Sequence, residues 1–272
     1  MNYLKHKLEE CKAVAFVTYK EWSAYRTHSL VSVFVGPVYF IVQYFIWTAV
    51  YGESKTLGGM ELEQTICYFG VSALIGYLTM DFADWNLQML VRTGKFLTFT
   101  LRPMHHRFFA LSQKIGHRVL GFFFEFLPCF LIFLFVFRID IIPKKMMWTV
   151  ISVALAFLMN FYVNYCLGMT AFYLVQAGGV RVVYQLLAQI FSGALIPLSF
   201  FPAVVQKIMM FLPFQYTNYI TAMVWTGNNS IGEMGLTIPQ AVLYQAVAVV
   251  AAGLFSEFLY RTSIKRFTAV GA

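Results

Sequence analysis

Long uncharged runs alternate with short basic ones along this chain, and that alternation predicts its elements. Leu30 to Gly52 carries no charge and, at 1.5 Å per helical residue, is long enough to cross a hydrocarbon core of about 30 Å. Pro37 is placed to kink it. Gln64 to Met80 is a second uncharged run at the short end of the spanning range, and its helix is expected to continue past Asp81 and Asp84 towards Met89. Val119 to Phe137 is a third span, interrupted only by Glu125. The uncharged run from Met146 to Val180 exceeds one crossing. It places the fourth span at about Met147 to Gln176, with Gly178-Gly179 as its stop. Val182 to Gln206 holds the fifth, ending near Pro197 to Pro202, and Pro239 to Tyr260 is the last.

Ile208 to Gly232 is also uncharged, but Pro213, Asn218, Gly227, Asn228 and Asn229 interrupt it. Two short helices that enter the membrane edge and turn back fit this stretch better than a crossing. Irregular backbone at that depth needs protein or a watery cavity to satisfy it. The expected fold is therefore an all-α polytopic membrane protein in one domain, residues 1–272. It has six transmembrane helices, an N-terminal interfacial helix over 1–29, a cytosolic loop over 91–118, and an outer re-entrant helix pair over 203–233 between spans five and six. The N-terminal assignment rests on Lys5, Lys7, Lys12, Lys20 and Arg26, interleaved with Leu4, Leu8, Val14, Phe16, Val17, Tyr19 and Trp22. That mixture suits a helix lying in the interface with its basic side chains snorkelling to headgroups; the alternative is a solvated arm.

Composition agrees. Hydrophobic residues make up 60% of the chain and charged residues 12%, against about 45–50% and 25% in an average soluble domain. That leaves too little polar surface for a soluble enzyme. The N-terminus does not read as a signal peptide, because the first apolar stretch is too long for such a segment and a charged region precedes it. Cys11, Cys67, Cys129 and Cys166 are scattered without metal-ligand spacing and read as packing residues.

The net charge of +8 would suggest nucleic acid in a soluble protein. Here it reads as topology. With the N-terminus inside, fifteen Lys and Arg fall on inner segments: the arm, the loop after span two, Arg181 and the tail Arg261, Lys265 and Arg266. Five fall outside: Lys55, Arg138, Lys144, Lys145 and Lys207. This positive-inside bias puts both termini in the cytosol and accounts for the charge without nucleic acid. It would weaken if Ile208 to Gly232 crossed.

The sequence lacks a G-x-x-x-x-G-K-[ST] phosphate loop, an H-E-x-x-H zinc motif and a G-x-S-x-G elbow. What remains is subtler. The inner loop LVRTGKFLTFTLRPMHHRFFALSQKIGHR, Leu90 to Arg118, has six basic residues, no acid and many aromatics. Pro103 is placed to open a short helix in it. Either the loop anchors in the interface, or Phe96, Phe99, Arg102, Pro103, Arg107, Phe108 and Phe109 dock a cytosolic partner. Two intramembrane carboxylates stand out, because an unpaired charge in lipid is costly. Glu257 lies one turn before Arg261 and reads as a snorkelling i,i+4 pair. Glu125 either pairs with a basic residue, is protonated, or faces a polar path. Near the end of span five, Phe200, Phe201, Phe214 and Tyr216 form an aromatic group beside Pro197, Pro202 and Pro213. It is either an interfacial belt or an outer gate.

The order of these parts resembles the permease subunits of ABC-2 type transporters. The resemblance covers nearly the whole chain and rests on the interfacial helix, the six spans and the basic loop with Gly94 and Leu101-Arg102-Pro103. It rests also on Ser192-Gly193-Ala194-Leu195-Ile196-Pro197, Phe200-Phe201-Pro202 and Leu212-Pro213-Phe214. It implies a half-transporter without catalysis of its own. Two permease chains, alike or unlike, would sit over two cytosolic ABC ATPase subunits that hold ATP and Mg, and the loop around Phe96 to Phe109 would be the coupling element. It implies a multi-pass protein of a cytoplasmic membrane, bacterial in type, in contact with membrane lipids. The cargo class suggested by the aromatic richness is amphipathic: a drug, a peptide, a lipid or a lipid-linked glycan, moved outward. An ATPase-independent membrane enzyme or lipid scramblase is the alternative.

Overall fold

The computed structural model describes residues 2–23, 31–102, 104–174, 178–228, 230–231 and 235–266. In chain order the helices are α1 (Asn2–Ser23), α2 (Val35–Tyr51), α3 (Leu62–Thr79), α4 (Ala83–Arg92), α5 (Leu97–Thr100), α6 (His106–Gly121) and α7 (Leu127–Phe135). They continue as α8 (Met146–Gly168), α9 (Gly178–Phe191), α10 (Ala203–Met209), α11 (Tyr219–Trp225) and α12 (Ile238–Ser263). The strands β1 (Thr56–Leu57) and β2 (Met60–Glu61) form a small antiparallel hairpin. Its two-residue turn, Gly58-Gly59, takes positive φ at both positions, which glycine adopts without steric cost.

Among the described residues, four helical stretches are long and apolar enough to cross a membrane: Leu62–Arg92, His106–Phe135, Met146–Phe172 and Ile238–Arg266. The first expected span is α2, with 17 residues, about 25 Å long. The fifth is α9, with 14 residues, about 21 Å. α10 and α11 have seven residues each, about 10 Å, too short to cross.

Local chemistry sets the boundaries. Glu61 and Gln64 form a capping box at the start of α3, and Thr237 and Gln240 form another at the start of α12, with Pro239 in its first turn. The helix from span two does continue past Asp81 and Asp84, but with a break at residues 80–82, where the Ala83 N–H donates to the Asp81 carboxylate at 3.2 Å. Gly178-Gly179 does not stop the fourth span. α8 runs into a 3₁₀ turn over Met169–Phe172, and Gly178 opens α9 instead. Gln176, expected as the end of that span, lies outside the described residues, as do Arg26, Asn229 and Gly232.

The largest departure from expectation is in the third span. α6 begins at His106, well before Val119, so much of the stretch 91–118 is helix rather than loop. Its polarity is inverted relative to a soluble helix. Ser112, Lys114, Gly116 and Arg118 are buried, while Phe108, Ile115 and Val119 are exposed. A helix that faces lipid puts its apolar side outward and turns its charges into the bundle. A π turn over Phe122–Phe126 joins α6 to α7, with the Leu127 N–H donating to the Phe122 carbonyl. Pro128 lacks the N–H that would continue the α ladder here, which accounts for the extra residue.

α1 packs across α6. The approach is close because Gly116 has no side chain: a Cβ there would run into the Ala15 carbonyl. Trp22 adds a ring contact to His117 at 4.1 Å. Gly116→Leu is therefore expected to displace α1 while the spans persist, read as increased protease sensitivity of residues 2–23 in membranes. Unchanged protection would separate α1 docking from Gly116.

The core also holds a polar knot. Ser152 of α8 donates to the Gln245 Oε1 of α12 at 2.7 Å, and the Gln245 Nε2 donates to the Tyr216 carbonyl at 3.0 Å and the Thr221 hydroxyl of α11 at 3.1 Å. All seven residues of α11 are buried, against α3, α8 and α12. The knot satisfies polar atoms that lipid could not and pins this short helix in register. Gln245→Leu, which takes away the Tyr216 carbonyl's partner while Ser152 keeps Thr221 at 3.0 Å, is expected to cost about 1–3 kcal/mol, seen as a lower melting temperature in detergent.

Candidate functional site

At the end of the bundle that carries Arg92, Lys95, Arg102 and Arg107, the chain doubles back between α4 and α6. Gly94 takes φ +70, and the Phe96 N–H returns to the Leu90 carbonyl at 3.0 Å. A glycine in this left-handed conformation closes a helix and reverses the chain without strain. The reversal drives Phe96 inward, where it is fully buried, edge-on to Phe172 at 5.1 Å and to His106 at 5.3 Å. His106 Nδ1 lies 3.0 Å from the Tyr165 hydroxyl of α8. Phe99 packs on His106 at 4.7 Å and on Phe109 at 4.9 Å, and the Arg102 guanidinium covers Phe99 at 4.6 Å.

Arg107 is not directed outward. Its guanidinium donates to the Gly253 carbonyl at 3.0 Å and the Ser256 hydroxyl at 3.2 Å, and pairs with Glu257 at 3.2 Å, all on α12. Glu257 also pairs with Arg261 at 2.7 Å. His105, at the start of α6, has its pKa pushed below the usual imidazole range by burial, with the Glu257 charge opposing. The neutral ring leaves Nδ1 free to accept the Arg107 N–H at 3.3 Å.

The residues expected to dock a partner thus separate into two groups. Phe96, Phe99, Phe109 and Arg107 form the backing of the turn, fixed to α8 and α12. Phe108 is 48% exposed, and Arg102 is exposed at the rim. Pro103 lies outside the described residues. Two apolar positions not among the expected docking residues are as exposed or more so: Leu97 at 48% and Leu101 at 83%. The turn therefore exposes Leu97, Leu101 and Arg102, with Phe108 exposed on the first turn of α6, over a base of packed aromatics.

Behind this turn lie buried charges. Lys114 faces Asp81 at 3.8 Å, Arg181 of α9 pairs with Asp84 of α4 at 2.8 Å, and Arg118 pairs with Glu125 at 3.3 Å. Asp84 thus pairs with the start of α9, and Asp81 with Lys114 of the basic stretch. Glu125 also accepts from the Ser32 hydroxyl at 3.1 Å, while the Arg118 guanidinium donates to the Tyr77 carbonyl of α3. The Tyr77 hydroxyl in turn donates to the Ser32 carbonyl at 2.8 Å and accepts from the Gly36 N–H at 2.7 Å. One carboxylate thereby joins the π turn, α3 and the start of α2.

The aromatics expected as a gate fall into separate contacts. Phe200 meets Trp47 of α2 at 5.0 Å. Phe214 stacks on Tyr184 of α9 at 5.6 Å and lies 6.0 Å from Phe191. Tyr216 is buried, its hydroxyl donating to the Met210 carbonyl at 2.7 Å, and Phe201 packs against the core. They form no single ring. What converges here is the unwound end of α9: Gly193 takes φ +80, its carbonyl accepts from the Tyr68 hydroxyl of α3 at 2.7 Å, and the Ala194 carbonyl accepts from Tyr39 of α2. The small run Ser192-Gly193-Ala194 is thus a hydrogen-bonded stop.

Among the described residues, the four cysteines are free and no group of three or more His, Cys, Asp or Glu is placed to hold a metal. No curated protein and no solved structure matched the chain. A family model described as ABC-2 family transporter protein matches residues 38–271, a stretch that begins inside α2 and takes in every later helix among the described residues. The chain therefore belongs to the ABC-2 family of transporter proteins, as a permease domain of a multi-pass membrane protein.

Proposed function

We propose that this chain is the permease half of an ATP-driven exporter, moving an amphipathic substrate (a drug, peptide, lipid or lipid-linked glycan) outward across the cytoplasmic membrane. In this reading α2 and α9 complete a set of six spans, both termini are cytosolic, and α10 and α11 form the outer re-entrant pair. Two cytosolic ABC ATPase subunits carry ATP and Mg, which fits a sequence without a phosphate loop. A second permease chain, identical or homologous, supplies the other half. α9, which has no buried residue in the single chain, offers it a face.

The observation that carries the reading is the turn around α5: exposed Leu97, Leu101 and Phe108 on a base bonded to two spans. A switch needs a stiff link between the ATPase and the membrane. Movement pressed on this surface reaches α8 through Phe96, His106 and Tyr165, and α12 through Arg107. The same displacement along α6 bears on Glu125 and so on α2 and α3. The protein alone should hydrolyse no ATP; activity should appear with a co-purifying ATPase subunit. ATP turnover by chain free of any partner by mass spectrometry would refute the half-transporter.

The topology has its own test. In a variant without native cysteines, a cysteine at Asn228 should react with an impermeant maleimide from outside intact cells and one at Lys265 should not. The opposite pattern would invert the orientation.

A further inference from the structure

Between α8, α10 and α12 lies a groove of about 840 Å³, near the upper end of what ligand sites usually enclose, roughly 300–1,000 Å³. Met159 and Cys166 of α8, Met210, and Ala248 and Phe255 of α12 are among its walls. Among the described residues, Lys207 is its one charged lining residue. It also borders a small neighbouring cavity against Ile231 and Leu236, just before the start of α12, which places it at that end of the groove. Phe211, 91% exposed, stands at the same lip. From Tyr244 to Phe255 the groove follows α12 over twelve residues, about 16 Å.

We propose that this groove holds an acyl chain of a membrane phospholipid, with the headgroup phosphate on Lys207. A cation at one end of a long apolar trough complements an amphiphile with an anionic head. A lysine beside an exposed aromatic is the usual furniture of the headgroup level, where the aromatic sits and the lysine meets phosphate. The trough runs on into the exposed stripe Leu243, Val247, Val250, Leu254 and Phe258 of α12, an apolar surface that suits lipid. The bound chain would wedge Met210 and Pro213 against α8 and α12, so the setting of α10 would depend on lipid type. The site involves neither the α5 turn nor an ATPase, so it stands apart from the transport reading.

The test uses the full chain in nanodiscs of equal phosphatidylglycerol and phosphatidylcholine, each in turn carrying a photoactivatable acyl chain. Adducts should map to peptides holding Met159–Cys166 and Ala248–Phe255, with phosphatidylglycerol preferred. Lys207→Gln should lower that preference about five-fold. Ala251→Trp, or Val247→Trp if the first fails to fold, should remove adducts at this site with both lipids. Adducts that ignore both substitutions, equal capture of the two lipids by the wild type, or crosslinks joining two chains through this groove would each overturn the proposal.

Discussion

Arg118→Ala is expected to be among the most destabilising single changes in this chain, costing about 3–5 kcal/mol, with Glu125→Ala somewhat less severe. Both side chains are buried, and removing one leaves the other's charge uncompensated in a low-dielectric setting. The order of the two follows from their remaining partners. Without Glu125, Arg118 keeps the Tyr77 carbonyl and the His117 Nδ1 at 2.8 Å. Without Arg118, Glu125 keeps only the Ser32 hydroxyl among its observed hydrogen bonds. A double change to uncharged residues of similar volume, Arg118→Met with Glu125→Gln, should recover much of the loss, because a buried pair gains little over apolar packing once both charges are gone. Melting in mild detergent with yield of folded chain measures this. Single variants that melt with the wild type would remove the pair from the stability account. Retained folding of Glu125→Gln with lost transport would place Glu125 on the substrate path instead.

The spans were legible for the same reason that this pair was half-legible. Lipid admits no unpaired charge, so uncharged runs of helical length mark α2, α3, α8 and α12, and a lone Glu125 marks a partner somewhere. The sequence does not say which partner. Arg118 is seven residues before Glu125, two helical turns, but Lys114 and Arg118 read as loop because their surroundings are basic and mixed. Only the inverted polarity of α6, with charges turned inward and Ile115 and Val119 turned to lipid, makes that stretch a helix. Pro128 was a usable signal for the π turn. Gly178-Gly179 misled because a glycine pair suits a helix start following a turn as well as a stop. The Asp84–Arg181 pair was not readable at all, since it depends on how α9 returns to α4. The gate aromatics illustrate the limit of composition: proximity in sequence put Phe200 and Phe214 together, while packing sent one to Trp47 and the other to Tyr184.

The turn around α5 yields a second large expected effect, and it differs in kind between its surface and its base. Phe96→Ala opens a cavity in a fully buried aromatic cluster and should cost about 3–5 kcal/mol of stability whatever the partner does. Leu97, Leu101 and Phe108 are exposed, so their loss should leave folding and membrane insertion intact. If they seat in a groove of an ATPase subunit, they become desolvated anchors there, and truncating such anchors typically costs about 2 kcal/mol or more each. Two such losses exceed 4 kcal/mol, a weakening of roughly a thousand-fold, enough to release a bound subunit. Leu97→Asp with Leu101→Asp should therefore abolish ATPase retention in a pull-down, and Phe108→Ala should weaken it. Phe99→Ala and Phe109→Ala should act through the base, lowering melting temperature and retention together. Interfacial anchoring predicts another pattern: the Asp pair would impair membrane insertion and leave ATPase binding untouched. Full retention and full transport after the loss of Leu97, Leu101 and Phe108 together would exclude this turn as the coupling element, and the search would move to the exposed face of α4 at Trp85 and Met89.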